Sequence, residues 1–318
     1  MASTDTKKAH VVPQSYLERF ATDPGRIWVF DKFTIRAYGA SIKDIAQERY
    51  FYDVVEETDT GPIRSQGVEH YLADAENFYK DCIDRLLGGL VDGKILPEQK
   101  DELAFFVMLQ ALRTKEIRQR MIQFFQSGSK QILGRAELDG YEGPIPDLSS
   151  VDHFRPEDAS EWHAKFLHPI HLWAVSRPFL DHIWVIGLNH STRLLYTSDN
   201  PVIAQAHVPQ SKLIGASGLA AEGTEIQLPL TPRHVLLLFE RSYFQEHEAL
   251  DGHILDLNDD QVDRCNSFQI SNSERQIFCG VDDFDLARRY LALYPQARYP
   301  ERYRLDLTTH PNLVDDDL

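Results

Sequence analysis

Two stretches in the middle of the chain repeat apolar residues at intervals of three and four, the mark of an amphipathic helix. Over residues 68–90, Val68, Tyr71, Leu72, Ala75, Tyr79, Cys82, Ile83, Leu86 and Leu90 share one face. Over residues 97–126, Phe105, Phe106, Leu109, Leu112, Ile117 and Phe124 do the same, with Pro97 in the first turn and Gly128 beyond the end. The pattern predicts two long antiparallel helices. On either side it changes. Arg26–Asp31 (R-I-W-V-F-D) and Ile35–Tyr38 read as paired strands, followed by an aromatic patch at Tyr50–Tyr52 and a loop at Asp59–Pro62. After about Pro178, strand-like runs recur at 183–188, 194–197, 226–228, 235–239 and 276–280. Further helices are expected at 13–21, 131–138, 156–175 (interrupted at Pro169), 259–271 and 284–293, and Gly140–Asp147 reads as a linker. The fold expected is α+β. A single domain over residues 1–310 would carry a helical subdomain at about 68–176, its N-terminal and C-terminal strands sharing one mostly antiparallel sheet. Residues 311–318 form an acidic tail.

Charge within the apolar stripes changes this picture. Arg113 falls between Leu109 and Ile117 on the apolar face, and Arg120 lies seven residues further on. A buried guanidinium without a partner costs several kcal/mol, so each should meet a carboxylate or a bound anion. Glu69 and Glu76, also seven apart, edge the face of the preceding helix and would meet Arg120 and Arg113 as an ion-pair ladder. The competing reading leaves an arginine for an anionic ligand, or Glu69 and Glu76 for a divalent metal ion. Lys115 and Arg118 point off the stripe and are expected in solvent.

Composition adds bounds rather than an activity. Of 318 residues, 42% are hydrophobic and 26% charged, an ordinary globular balance that excludes a disordered chain. Net charge is 33 − 49 = −16, which argues against a nucleic-acid coat protein. Cys82, Cys265 and Cys279 form no C-x-x-C pair, which suits reduced thiols and a cytoplasmic setting. No secretory signal is visible, and no apolar run is long enough to span a membrane.

Two segments stand out chemically. In His10-Val11-Val12-Pro13-Gln14-Ser15-Tyr16-Leu17, a histidine precedes a proline-started helix, with Gln14 and Tyr16 as further polar tips. In Tyr196-Thr197-Ser198-Asp199-Asn200-Pro201-Val202, a strand runs into a cluster of turn formers. Such a cluster serves local backbone hydrogen bonds as readily as a ligand. Phosphate-binding G-x-x-x-x-G-K-[ST], nucleophile-elbow G-x-S-x-G and zinc-binding H-E-x-x-H patterns are absent. His163, His168 and His171 lie on one helical stretch, where Pro169 disturbs any ligand geometry.

These two segments, with Leu109-Gln110-Ala111-Leu112-Arg113-Thr114, resemble the signature of the domain of unknown function 4238 family, in order and over about residues 8–280. The resemblance implies that His10, Pro13, Gln14, Tyr16, Arg113, Ser198, Asp199, Asn200, Pro201 and Asn266 match signature positions, and it implies no reaction. The His10 segment also resembles the H-x-V-P stretch of HNH nucleases, but Ala9 stands where those enzymes carry an acidic residue or a second histidine, and their downstream Asn and His are lacking.

The functional expectation is a hydrolase, a metal-assisted phosphodiesterase or nuclease. His10, Asp199 and Asn200 would be catalytic, Gln14, Tyr16, Arg113, Arg120 and Ser198 would bind ligand, and Glu69, Glu76 and Asp199 are the metal candidates. The alternatives are a non-enzymatic module that binds a small anion, nucleotide or protein partner, and a structural role in which the motifs lock the N-terminal segment against the strand end.

Overall fold

The computed structural model describes residues 8–58, 61–90, 94–123, 125, 158–208, 219 and 221–299, with backbone alone at 55–58 and 61–64. The expected helix at 131–138, the linker at 140–147 and the acidic tail lie outside these residues. The fold is mixed α+β with mostly antiparallel sheets.

The N-terminal half opens with β1 (Lys8–His10), a short helix α1 (Gln14–Leu17), and strands β2 (Arg26–Asp31), β3 (Arg36–Ser41), β4 (Gln47–Arg49), β5 (Val54–Thr58) and β6 (Gly61–Ser65). Helices α2 (Gly67–Gly89), α3 (Pro97–Leu112), α4 (Lys115–Gln123), α5 (Asp158–Phe166) and α6 (Pro169–Ser176) follow. The C-terminal half holds β7 (Ile183–Asn189), β8 (Thr197–Ser198), β9 (Ile203–Ala206), β10 (Thr224–Thr231), β11 (His234–Phe239) and β12 (Ile254–Leu257), then α7 (Asp259–Asn272), β13 (Gln276–Cys279) and α8 (Asp285–Leu293).

The ends of the chain do share a sheet, of order β3-β2-β13-β8, in which Phe278 stands opposite Val29. The remaining strands form a second sheet of order β12-β7-β11-β10-β9 and two two-stranded ribbons, β1-β4 and β5-β6, so the described strands divide among four sheets where one was expected. In the second sheet only the β12–β7 pairing is parallel. Its central strands are buried on both faces. Trp184, Ile186, Leu228 and Leu236 join the core with α2 and α3, while Ile183, Val185, Val235 and Leu237 pack with Val262 and Cys265 of α7. The period-two alternation of β7 thus feeds two cores at once. Helix α8 covers the first sheet through Phe284, Ala287 and Leu291.

The helix expected over 97–126 is broken after Leu112. Arg113 sits at φ −79°, ψ 0°, and the Thr114 hydroxyl donates to the Ala111 carbonyl at 3.3 Å, a local bond that competes with the helical ladder. Helix α4 restarts at Lys115. Among the described residues no helix is long and apolar enough to cross a membrane.

Candidate functional site

The break between α3 and α4 carries Arg113 and Thr114, and each side of it faces one of the other motifs. On the first side stands His10, at the end of β1. Strand β1 pairs with β4, placing His10 opposite Gln47, and Val11 N–H donates to Ala46 O at 2.9 Å. Ala46 and Tyr50 bracket β4 at φ 48° and 54°, a left-handed backbone that non-glycine residues rarely adopt and that surrounding structure must enforce.

Arg113 fastens these pieces together. Its Nη2 donates to His10 O at 2.6 Å and to Glu76 Oε1 at 2.9 Å, while Tyr52 Oη donates to Arg113 O at 2.6 Å. The guanidinium is 2% exposed, and the tyrosine and Glu76 keep it charged against the cost of burial. Half of the expected ladder therefore exists. The other half does not: Arg120 lies beyond the helix break and pairs with Glu116, one turn back on α4, at 2.6 Å instead of with Glu69.

Around this pair several polar atoms are buried without a hydrogen-bond partner: His10 Nε2, Glu69 Oε1, Tyr71 Oη, Gln110 Oε1 and Arg113 Nε. Such atoms are rare in folded proteins, and a group of them around one ion pair calls for a reason. The Gln14 side-chain amide reaches His10 Nδ1 at 3.4 Å; if Gln14 donates, the neutral ring carries its proton on Nε2. Burial pushes the His10 pKa down, with Glu76 opposing and Arg113 reinforcing, so its ring is neutral at pH 7. Burial pushes the Glu69 carboxyl up to about 7, against the pull of Arg113 and with the help of Glu76 and Asp53. The Tyr71 hydroxyl is pushed up to about 12 by burial. His10, Glu69 and Tyr71 are only half-buried as residues, so the cluster borders solvent while Arg113 forms its floor. A neutral imidazole and a half-ionised carboxyl are the pair of states that proton transfer at neutral pH requires.

On the second side of the break lies the Thr197–Pro201 turn, and its side chains are fully engaged. The Asp199 carboxylate accepts three backbone N–H bonds, from Glu274, Arg275 and Gln276, each at 2.8 Å. Ser198 Oγ donates to Gln269 Oε1 at 2.7 Å, and Gln269 Nε2 donates to Pro201 O at 2.9 Å. Asn200 Nδ2 donates to Glu116 Oε2 and, at 3.1 Å, to Asn272 O. Tyr16 Oη bonds Thr197 Oγ1 at 2.8 Å and Pro229 O at 2.6 Å. Asn266 accepts from Tyr196 N at 2.7 Å and donates to Leu194 O at 2.9 Å, holding the strand entry. Beside the turn, a cavity of about 140 Å3 is lined by Thr114, Glu116, Arg120, Asn200 and Asn272 together with Ile117 and Val202.

The structure thus joins His10, Gln14, Arg113, Glu76 and Glu69 in one cluster and Asn200 and Arg120 at the neighbouring cavity. Asp199, Ser198 and Tyr16 instead bind other parts of the fold. The three metal candidates do not converge, since Glu76 is on Arg113 and Asp199 on the 274–276 amides. Among the described residues no group of three or more His, Cys, Asp or Glu side chains could hold a metal ion. The cysteines are free and buried, and burial pushes Cys82 and Cys265 to about 12 and Cys279 to about 11, too high for thiolate chemistry. Tyr52 was not a candidate from the sequence; its only signal was the aromatic patch at 50–52.

No curated protein and no solved structure matches this chain. The profile of one family, described as protein of unknown function (DUF4238), matches residues 8–283, which include every motif residue discussed above. The protein is a member of the DUF4238 family.

Proposed function

We propose that the protein is a hydrolase of small anionic esters, of the phosphodiester class, working by general acid–base chemistry at the His10–Glu69–Arg113 cluster. The observation that carries this reading is Glu69: a half-buried carboxyl with an unpartnered oxygen and a pKa of about 7. In this role Glu69 gives a proton to the leaving oxygen, and His10, neutral with its proton on Nε2, takes one from the attacking water at Nδ1, the nitrogen that the Gln14 amide 3.4 Å away must yield. Arg113 holds the His10 carbonyl and Glu76 and so positions both. Asp199 drops out of the reacting set, because its oxygens serve backbone amides. A divalent ion, if one assists, would draw on Glu69 and added water rather than on a preformed trio. A net charge of −16 favours a small substrate over a long nucleic acid, which would need an extended basic groove. Three buried free cysteines accord with a cytoplasmic setting.

The test is turnover of a chromogenic phosphodiester and of single-stranded and duplex oligonucleotides, with divalent ions added or chelated. Glu69→Gln and His10→Ala, checked for folding, should each lower turnover by about 10²–10⁴-fold. Folded variants that keep wild-type turnover sink the reading. In wild type, activity should fall as pH rises through about 7, where Glu69 loses its proton, and that limb should vanish in Glu69→Gln. A second reading, a non-enzymatic binder of a small polar ligand, is favoured by the cavity of about 140 Å3 at Asn200 and Arg120. It predicts saturable binding that Asn200→Ala weakens, with no turnover of any ester.

A further inference from the structure

Arg118, expected in solvent, is half-buried and held in a rigid frame. Its Cζ lies 3.6 Å from the centroid of the Phe51 ring. Its Nε and Nη2 both approach His163 Nδ1, at 3.2 and 3.0 Å. His163 is itself fully buried, and its Nε2 donates to Leu112 O at 2.6 Å, which leaves Nδ1 as a lone-pair acceptor. Phe51 and Tyr52 pack against the imidazole at 5.7 and 5.9 Å. Burial and the nearby Arg118 charge push the His163 pKa down to about 3, so the imidazole is neutral.

One face of the guanidinium therefore lies on a phenyl ring and one edge on a neutral imidazole, and neither supplies negative charge. Other buried or half-buried arginines have a carboxylate: Glu76 for Arg113 and Glu116 for Arg120. Among the described residues no carboxylate lies within ion-pair distance of Arg118, and burial lowers its pKa to about 10. A cation–π contact and a neutral acceptor offset only part of the cost of withdrawing a guanidinium from water. Because the Phe51 ring and a buried histidine fix its orientation, the geometry is one of presentation rather than accommodation.

We propose that Arg118 is an oxyanion-binding residue, offering Nη1 and the free hydrogen of Nη2 as a fork to a phosphate or carboxylate group. That edge matches the two-oxygen spacing of either anion. Tyr52 links this position to the acid–base cluster, since its ring packs on His163 and its hydroxyl donates to Arg113 O. Arg118 and the Glu69 cluster are thereby tied to one shared residue, Tyr52. The anion's identity as part of a substrate rests on the hydrolase reading; its binding does not.

The experiment is calorimetric titration of the full chain with inorganic phosphate and, separately, acetate, at neutral pH and constant ionic strength. Wild type, Arg118→Met and Arg118→Lys are compared. Wild type should bind one of the two anions, and which one it prefers tells phosphate from carboxylate. Arg118→Met should weaken that binding about tenfold or more, the worth of a charge-assisted hydrogen bond. Arg118→Lys, which keeps the charge and loses the fork, should fall in between. Should Arg118→Met fail to fold, the lysine variant decides alone: affinity equal to wild type overturns the proposal. Failure of wild type to bind either anion, or undiminished binding by Arg118→Met, also overturns it. Binding lost on substitution in a protein that hydrolyses no ester would sustain the anion site and remove the hydrolase reading.

Discussion

The cluster around Arg113 and the turn at Thr197–Pro201 lie on either side of one helix break, and both fall within the span that the family profile matches. They use polar residues in opposite ways. In the turn, side-chain acceptors and donors meet protein partners: three amides for Asp199, Gln269 for Ser198, Glu116 and a carbonyl for Asn200. Around Arg113, one strong ion pair is accompanied by a carboxyl oxygen of Glu69 and a hydroxyl of Tyr71 that are buried without a hydrogen-bond partner. A turn so fully satisfied specifies a conformation. A cluster left partly unsatisfied at the border of solvent keeps groups available for something else. Motif membership alone would rank the two regions together; hydrogen-bond accounting separates them.

The sharpest way to break this contrast is at Arg113. Arg113→Ala removes the tie between His10 and Glu76 and leaves a cavity and a half-buried carboxylate, so it should destabilise by about 3–5 kcal/mol in urea unfolding. Arg113→Met fills the volume and should cost clearly less. Equal losses would mean that packing around the methionine fails, and the account of a filled apolar stripe would fall. Next in size is Asp199→Ala, which strands three amide donors and should cost about 2–4 kcal/mol, while Asp199→Asn, retaining one acceptor oxygen, should cost less. A neutral effect of Asp199→Ala on unfolding would argue that the carboxylate is free for chemistry after all. Tyr16→Phe should cost about 1–2 kcal/mol, because the hydroxyl meets Thr197 and Pro229 O in a dry setting.

The burial of Arg113 was readable from its place between Leu109 and Ile117, since a wheel needs only the local period. The same wheel failed at Arg118 and Arg120 because it was drawn straight through the break. Leu-Arg-Thr continues the apolar rhythm, and nothing in the spacing signals that Thr114 will turn its hydroxyl onto Ala111 O. Strands β7, β10 and β11 were legible from runs of branched residues. The short strands β1, β4 and β12 were not, because each is defined by its partner rather than by its own pattern. The role of Asp199 was hidden for a related reason: its three donors come from residues 274–276, a long-range contact that no motif encodes. Unpartnered atoms such as Glu69 Oε1 are the least legible of all, since absence of a partner is a property of the assembled fold.

The finest discrimination between the two regions comes from pH. Glu69 has a folded pKa of about 7 against an ordinary 4.5, so the folded chain holds this proton more tightly than the unfolded chain. The associated stability is fully present below pH 4.5 and is lost as pH rises through about 7. His163 acts with the opposite sign: lowered from 6.5 to about 3, it contributes stability that is present above pH 6.5 and lost as the pH falls toward 3. Glu274, also pushed up to about 7 by burial and by Asp199, runs in parallel with Glu69. Wild-type unfolding midpoints therefore mix these groups, but the difference between wild type and Glu69→Gln isolates one of them. That difference should be flat below pH 4.5, change between 4.5 and 7 in the direction of wild type losing ground, and level off above. Parallel curves across this window would mean that Glu69 titrates as an ordinary solvated carboxyl. The cluster around Arg113 would then be as passive as the turn beside it.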